Sequence, residues 1–219
     1  MKIVELAEIE IVHQYNIDFK NREIFISGEE CMSKSDEGEP GVDHVLSARL
    51  IKNLRLLGNY NNNPILIHMK TCGGDWNEGM AVYDAIKNCP AYITILNYTH
   101  ARSMSSMILQ AADNRVMMPH SEFMFHHGTY GDDGEFITVI SAIDFYKKTT
   151  DAMYNIYIES MRSTKGSKWF SMSKGKIKKW LAEQMEKKND VYLTATEAVQ
   201  NGFADSVFTG DWNSLFIGA

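Results

Sequence analysis

The feature that most limits what this chain can fold into is the repeated step from a short apolar strand to an amphipathic helix, with little chain between. Glu23-Ile24-Phe25-Ile26, ending at Gly28, Ile65-Leu66-Ile67-His68-Met69 and Tyr92 to Leu96 read as strands rich in β-branched residues. Leu46, Leu50, Leu54 and Leu57 recur on one helical face, with Gly58 expected to stop that helix. Trp76, Met80, Tyr83 and Ile86 form a second stripe that ends at Cys89-Pro90. Such alternation predicts an α/β fold with mostly parallel strands. Val116 to Met118, Phe123 to Phe125 and Ser206 to Phe208 supply further strands. Met1 to Asp18 has no clear pattern, Cys31 to Gly41 reads as an exposed acidic loop, and Gly128 to Gly134 reads as extended or loop.

From Phe136 the spacing changes. Phe136, Val139, Ile143, Tyr146, Thr150, Met153 and Tyr157 predict one helix reaching about Met161, roughly 40 Å long at 1.5 Å per residue. Aromatic residues on several faces of such a helix predict packing against another subunit or a large core. The lysine-rich stretch Lys165 to Lys188 reads as a solvated face over Ile177, Trp180, Leu181 and Met185. Thr194-Ala195-Thr196-Glu197 has the form of a capping box, with Gly202 closing the helix it opens.

At 219 residues, 44% of them hydrophobic, the expectation is one domain with one core. A net charge of -6 disfavours nucleic acid as a partner. Three scattered cysteines, Cys31, Cys72 and Cys89, give neither a disulfide framework nor a zinc spacing. No apolar run approaches the ~18 residues of a membrane span, and the first residues lack a signal-peptide core. A cytoplasmic protein with no membrane partner, no metal and no cofactor is expected.

Chemistry is concentrated at His100-Ala101-Arg102-Ser103-Met104-Ser105-Ser106-Met107, where a strand is expected to give way to an apolar helix, Met104 to Ala112. Free N–H groups at such a junction can stabilise the oxyanion of acyl transfer. Read alone, Ser103 is a helix cap. Gly73-Gly74, between a strand and a helix, allows close backbone approach, but P-loop spacing and its lysine are absent. Of His126 and His127, which end a strand, at most one can face Ser103. A serine nucleophile needs a base, and the base needs a carboxylate. Ser103, His126 and Asp190 could play those parts, although the residues alone leave Asp132, Asp144 and Asp205 open.

Several segments, in order, resemble the proteolytic subunit of the Clp protease, the ClpP family. They are Phe19 to Gly28; Cys72-Gly73-Gly74 with Gly79 to Asp84; Ala101-Arg102-Ser103-Met104; Pro119 with Phe123-Met124-Phe125-His126; and Asp190 to Val199 with Gly202 and Asp205-Ser206. The resemblance runs from about Phe19 to Phe208. It implies a ClpP/crotonase-like spiral of strand–strand–helix units with a long protruding handle helix, residues 1–219 forming one peptidase domain with a handle region of about 128–188. It also implies a serine endopeptidase with Ser103 as nucleophile, His126 as base and then acid, Asp190 orienting it, and the N–H groups of Gly74 and Met104 as oxyanion hole. Unfolded polypeptides would be cut inside heptameric rings stacked as a tetradecamer and fed by an AAA+ unfoldase, a Clp ATPase. Substrate would lie extended beside strand edges such as Gly128 to Gly134.

The chain departs from the family pattern at Arg102, Ser105, Ser106, Cys72 and His127-Gly128, and Cys31–Gly41 and Lys165–Ser173 look inserted. The Ser-Met-x-Ser variant also resembles phage ClpP-like head-maturation proteases. Two further readings stand beside these: a crotonase-like acyl-CoA enzyme, disfavoured because that chemistry uses carboxylate bases, and an inactive structural subunit, disfavoured by the complete Ser-His-Asp set.

Overall fold

The computed structural model describes residues 3–27, 41–131 and 133–216. Most of the acidic loop expected from Cys31 to Gly41 lies outside them, as do Gly28 and Asp132. The patternless N-terminus is a helix, α1 (Ile3–Tyr15), followed by β1 (Ile17–Asp18), β2 (Glu23–Ser27), α2 (His44–Tyr60), β3 (Ile65–Thr71), α3 (Trp76–Lys87) and β4 (Ile93–Arg102). Then come α4 (Met104–Leu109), β5 (Asn114–Met117), β6 (Glu122–Phe125), α5 (Phe136–Ser163), α6 (Lys174–Lys188), β7 (Val191–Thr194), α7 (Ala195–Asn201), β8 (Ser206–Val207) and a 3₁₀ turn, Trp212–Phe216.

The main sheet runs β1-β2-β3-β4-β5-β8, with every pair parallel except the antiparallel β1–β2. Ile65, Leu66 and Ile67 are all buried, as expected of a parallel strand covered on both faces. The main core holds Ile65, Ile67 and Met69 with the buried leucines of α2, and a smaller cluster of Leu66, Leu96, Val116 and Leu215 covers the other face.

Strand β4 is longer than its apolar run predicts, and it forks. Thr94 to Asn97 pairs with β5, whereas His100 to Arg102 pairs with β6. The register with β3 slips between Met69 and Thr71. Polar residues occupy the second half of β4 because its partner changes there, so apolar periodicity misses it. The helix after it is correspondingly shorter than expected and ends at Leu109.

Two other expectations shift. Gly58 lies inside α2, where a methyl would come within 3.4 Å of Pro90, and the helix continues to Tyr60. In α3 the buried residues are Gly79, Val82 and Ile86, with Trp76, Met80 and Tyr83 packed beside them; the face is turned toward α4, and a methyl on Gly79 would meet the Met104 side chain at 2.1 Å. The capping box of α7 forms with both hydrogen bonds, and Gly202 closes that helix in the left-handed region at φ 81°.

Helix α5 has two parts. Thr149, Met153, Tyr154, Tyr157, Ile158 and Met161 bury its second half in the core. Its first half leaves Phe136 76% and Ile137 73% exposed, with Phe145 also in solvent. That exposed apolar half falls within the region, about 128–188, where the resemblance expects a handle. Among the described residues no helix is long and apolar enough to cross a membrane.

Candidate active site

Strand register assembles the site before any side chain is considered. Arg102 pairs with Met124, and the Ser103 N–H donates to the Met124 carbonyl at 3.1 Å, so Ser103 leaves β4 alongside the end of β6. Strand β7 runs antiparallel to β6 with Val191 opposite Phe125, which brings Asp190 beside His126. The side chains then meet: His126 Nε2 lies 2.8 Å from Ser103 Oγ, and Nδ1 lies 3.1 Å from Asp190 Oδ1. Asn189 Nδ2 also donates to Asp190 Oδ1 at 3.3 Å. Of the open carboxylates, Asp205 is committed elsewhere, to buried Arg115, and Asp144 pairs with Lys147 in solvent on α5.

Ser103 is not a helix cap. Its side chain makes no capping hydrogen bond, and its backbone sits at φ 50°, ψ -121°. A non-glycine residue held there costs on the order of 1–3 kcal/mol, so surrounding contacts must hold it. Gly73 closes the turn from above, and a methyl there would meet the Arg102 carbonyl at 2.7 Å and the Met104 nitrogen at 3.1 Å. Gly74, at φ 151°, is bridged to Val42, whose backbone a methyl would strike at 2.3 Å. The Val42 N–H donates to the Gly73 carbonyl, and the Asp75 N–H donates to the Val42 carbonyl at 2.9 Å. The glycine pair is therefore pinned beside the start of α4.

Gly74, Ser103, Met104 and His126 all line one open cavity of about 590 Å³, walled on its far side by Tyr130, Phe145, Tyr146, Met153 and Tyr157. None of the described residues of Gly128 to Gly134 forms a strand; Tyr130 instead stacks on Tyr146 of α5, ring centroids 4.7 Å apart. His127 also lines the cavity, its ring edge-on to that of Tyr154 with centroids 5.9 Å apart. Burial lowers its pKa, and the neighbouring His126 lowers it further, against the pull of Glu186.

Arg102, the departure next to Ser103, reaches back across the strands. Its Nε donates to Glu122 of β6 at 2.7 Å, and its guanidinium lies 5.6 Å from the Tyr192 ring centre on β7. It thus ties together the three strands from whose ends Ser103, His126 and Asp190 project. Sequence patterning missed this tie because its partners are 20 and 90 residues away. A charged residue inside an otherwise buried strand was the only available signal. Among the described residues, no group of three or more His, Cys, Asp or Glu side chains is placed to hold a metal ion.

A hydroxyl, an imidazole and a carboxylate in one line thus meet at the strand ends of a mostly parallel α/β sheet with a long projecting helix. Comparison with known proteins narrows this. The Clp protease family model matches residues 37–211, and the chain belongs to that family. Its class of activity is therefore that of a peptidase. An ATP-dependent Clp protease proteolytic subunit from Chlorella vulgaris is 28% identical over 90% of this chain and 86% of its own length. Subunit 2 of the same protease from Pseudomonas aeruginosa is 23% identical over 88% of this chain and 83% of its own. Among solved structures, a mutant ClpP1 from Listeria monocytogenes superposes with a TM-score of 0.69 over 90% of this chain and 96% of its own, at 18% identity, a likeness of fold.

Proposed function

We propose that this chain is a serine endopeptidase in which Ser103, His126 and Asp190 act as nucleophile, general base and orienting carboxylate. The observation that carries the reading is the pair of contacts on opposite sides of one ring, 2.8 Å to Ser103 Oγ and 3.1 Å to Asp190 Oδ1. With Asp190 accepting from Nδ1–H, Nε2 presents its lone pair to the serine hydroxyl, the tautomer a base needs. Ser103 Oγ attacks the peptide carbonyl as its proton passes to Nε2. The resulting oxyanion is met by the N–H groups of Gly74 and Met104, each such donor worth about 3 kcal/mol in the transition state. The C–N bond breaks as His126 returns the proton to the leaving amine. Water, deprotonated by the same imidazole, then releases the acyl group from Ser103.

The exposed apolar half of α5 supports self-association, because a patch of Phe136, Ile137, Ile140 and Phe145 left in water favours burial against another copy. Membership of the Clp protease family supports a ring of such copies, two heptamers stacked as a tetradecamer, working on unfolded polypeptide handed over by a Clp ATPase in the cytoplasm. A fluorophosphonate probe tests the chemistry. Wild-type protein should be labelled on Ser103, and Ser103→Ala should not. An assembled wild-type protein that resists labelling would overturn the assignment.

A further inference from the structure

A departure from the family pattern, Ser106, is fully buried one turn beyond the nucleophile. Its Oγ lies 2.5 Å from the Ser103 carbonyl oxygen and 2.6 Å from the Tyr157 hydroxyl of α5. A carbonyl can only accept, so the single proton of Ser106 goes to Ser103, and the second contact requires Tyr157 to donate. Tyr157 is able to do so: burial raises its pKa, and the phenol keeps its proton. The hydrogen bonds therefore run one way, from Tyr157 O–H to Ser106 Oγ and from Ser106 O–H to the Ser103 carbonyl, which also accepts from the Ser106 N–H at 3.0 Å.

The ring of Tyr157 completes the arrangement. It packs edge-on against Phe123 and Phe125, with centroids 6.3 and 6.0 Å away, and against Phe203 at 5.5 Å. Phe123 and Phe125 belong to β6, and Phe125 directly precedes His126. One side chain thus touches the nucleophile turn through its hydroxyl and the strand carrying the base through its ring. Ser103 meanwhile sits at φ 50°, a strained conformation for a non-glycine residue that surrounding contacts must hold.

Resting on the reading of Ser103 as nucleophile, we infer that Ser106 and Tyr157 are positioning residues. By holding the Ser103 carbonyl from the core side of α5, they keep Oγ turned toward His126 Nε2. Neither touches the reacting atoms. Loss of either hydroxyl lets the turn relax, so Oγ spends less time within reach of the imidazole. Turnover falls, while the ring at position 157, which also walls the cavity, is retained in Tyr157→Phe and keeps the cavity's shape.

The test is a double-mutant cycle of Ser106→Ala, Tyr157→Phe and the double variant. The readouts are the fluorophosphonate labelling rate and the kcat and KM for a short fluorogenic peptide, taken well below each variant's melting temperature. Each single variant should label about ten-fold more slowly, with kcat reduced and KM unchanged, and the double variant should be no slower than the slower single. Effects that multiply toward a hundred-fold would mean two independent packing defects and would overturn the proposal. So would wild-type labelling rates in either single variant, or a KM effect without a kcat effect. If one variant fails to fold, the other still decides by its kcat and KM split. Failure of the wild type to label removes the nucleophile reading itself and this proposal with it; a labelled wild type beside unaffected variants removes only the positioning role.

Discussion

Replacing Gly79 by alanine sets two opposing effects against each other. Gly79 is the fourth residue of α3, where alanine is the better helix former by up to about 1 kcal/mol. The added methyl, however, would sit 2.1 Å from Met104 Cγ and 2.6 Å from its Sδ. The far end of a methionine yields easily, but Cγ is one bond from Cβ, and Met104 is buried at the first position of α4. Relief requires either a different χ1 or a shift of α4 away from α3. Overpacking of this kind costs about 1–3 kcal/mol, which outweighs the propensity gain, so the net loss is expected near 1 kcal/mol. In a chain of this size that lowers Tm by about 2–4 °C. The same displacement moves the Met104 N–H, so the fluorophosphonate labelling rate should fall about ten-fold. Thermal melting monitored by circular dichroism, alongside labelling at 20 °C, measures both. A Gly79→Ala protein with an unchanged or raised Tm and wild-type labelling would show that the α3–α4 contact has slack that the structure does not display.

Asp190→Asn should leave stability nearly unchanged, since that side chain is 40% exposed, while lowering kcat by up to about 10⁴-fold, because an amide can donate to Nδ1 and stabilise the wrong tautomer. Ser103→Gly and Ser103→Ala should both be inactive, but the glycine variant should melt higher. At φ 50° an L-residue pays about 1–2 kcal/mol that glycine does not, against about 0.5–1 kcal/mol of extra unfolded-state entropy for glycine. His68 should make the fold acid-sensitive. Burial lowers its pKa despite Glu23 pulling upward, so as pH falls the unfolded chain takes up the proton first, from about pH 6.5 downward. Stability is then complete above that pH and declines below it until the folded imidazole also titrates. Urea midpoints between pH 7.5 and 5 should show this slope, and His68→Gln should flatten it.

Much of the architecture was legible in the order of residues. The leucines of α2, the strand runs of β2 and β3, the long helix, and the capping box of α7 are local patterns. Each is imposed by period and by side-chain chemistry within a few positions. The Clp-like segments put Ser103, His126 and Asp190 forward together, but apolar period alone left three other aspartates open. What periodicity misread shares one cause. The second half of β4 is polar, yet it is a strand because β6 pairs with it from twenty residues on. Ser103 occupies a cap position but its side chain does not cap, because its hydroxyl lies against the His126 imidazole instead. The face of α3 is rotated because α4 lies against Gly79.

Sequence alone determined most of the elements from β2 onward, their order and the chemical groups available, because backbone propensity and hydrophobic period act over single turns and strands, whereas α1 and the second half of β4 carry no such pattern. Tertiary structure decided which aspartate meets the histidine and which serine sits in a strained turn beside it. Those choices depend on strand register and on contacts between residues 23 to 90 positions apart, and distances of that kind exist only once the sheet has formed.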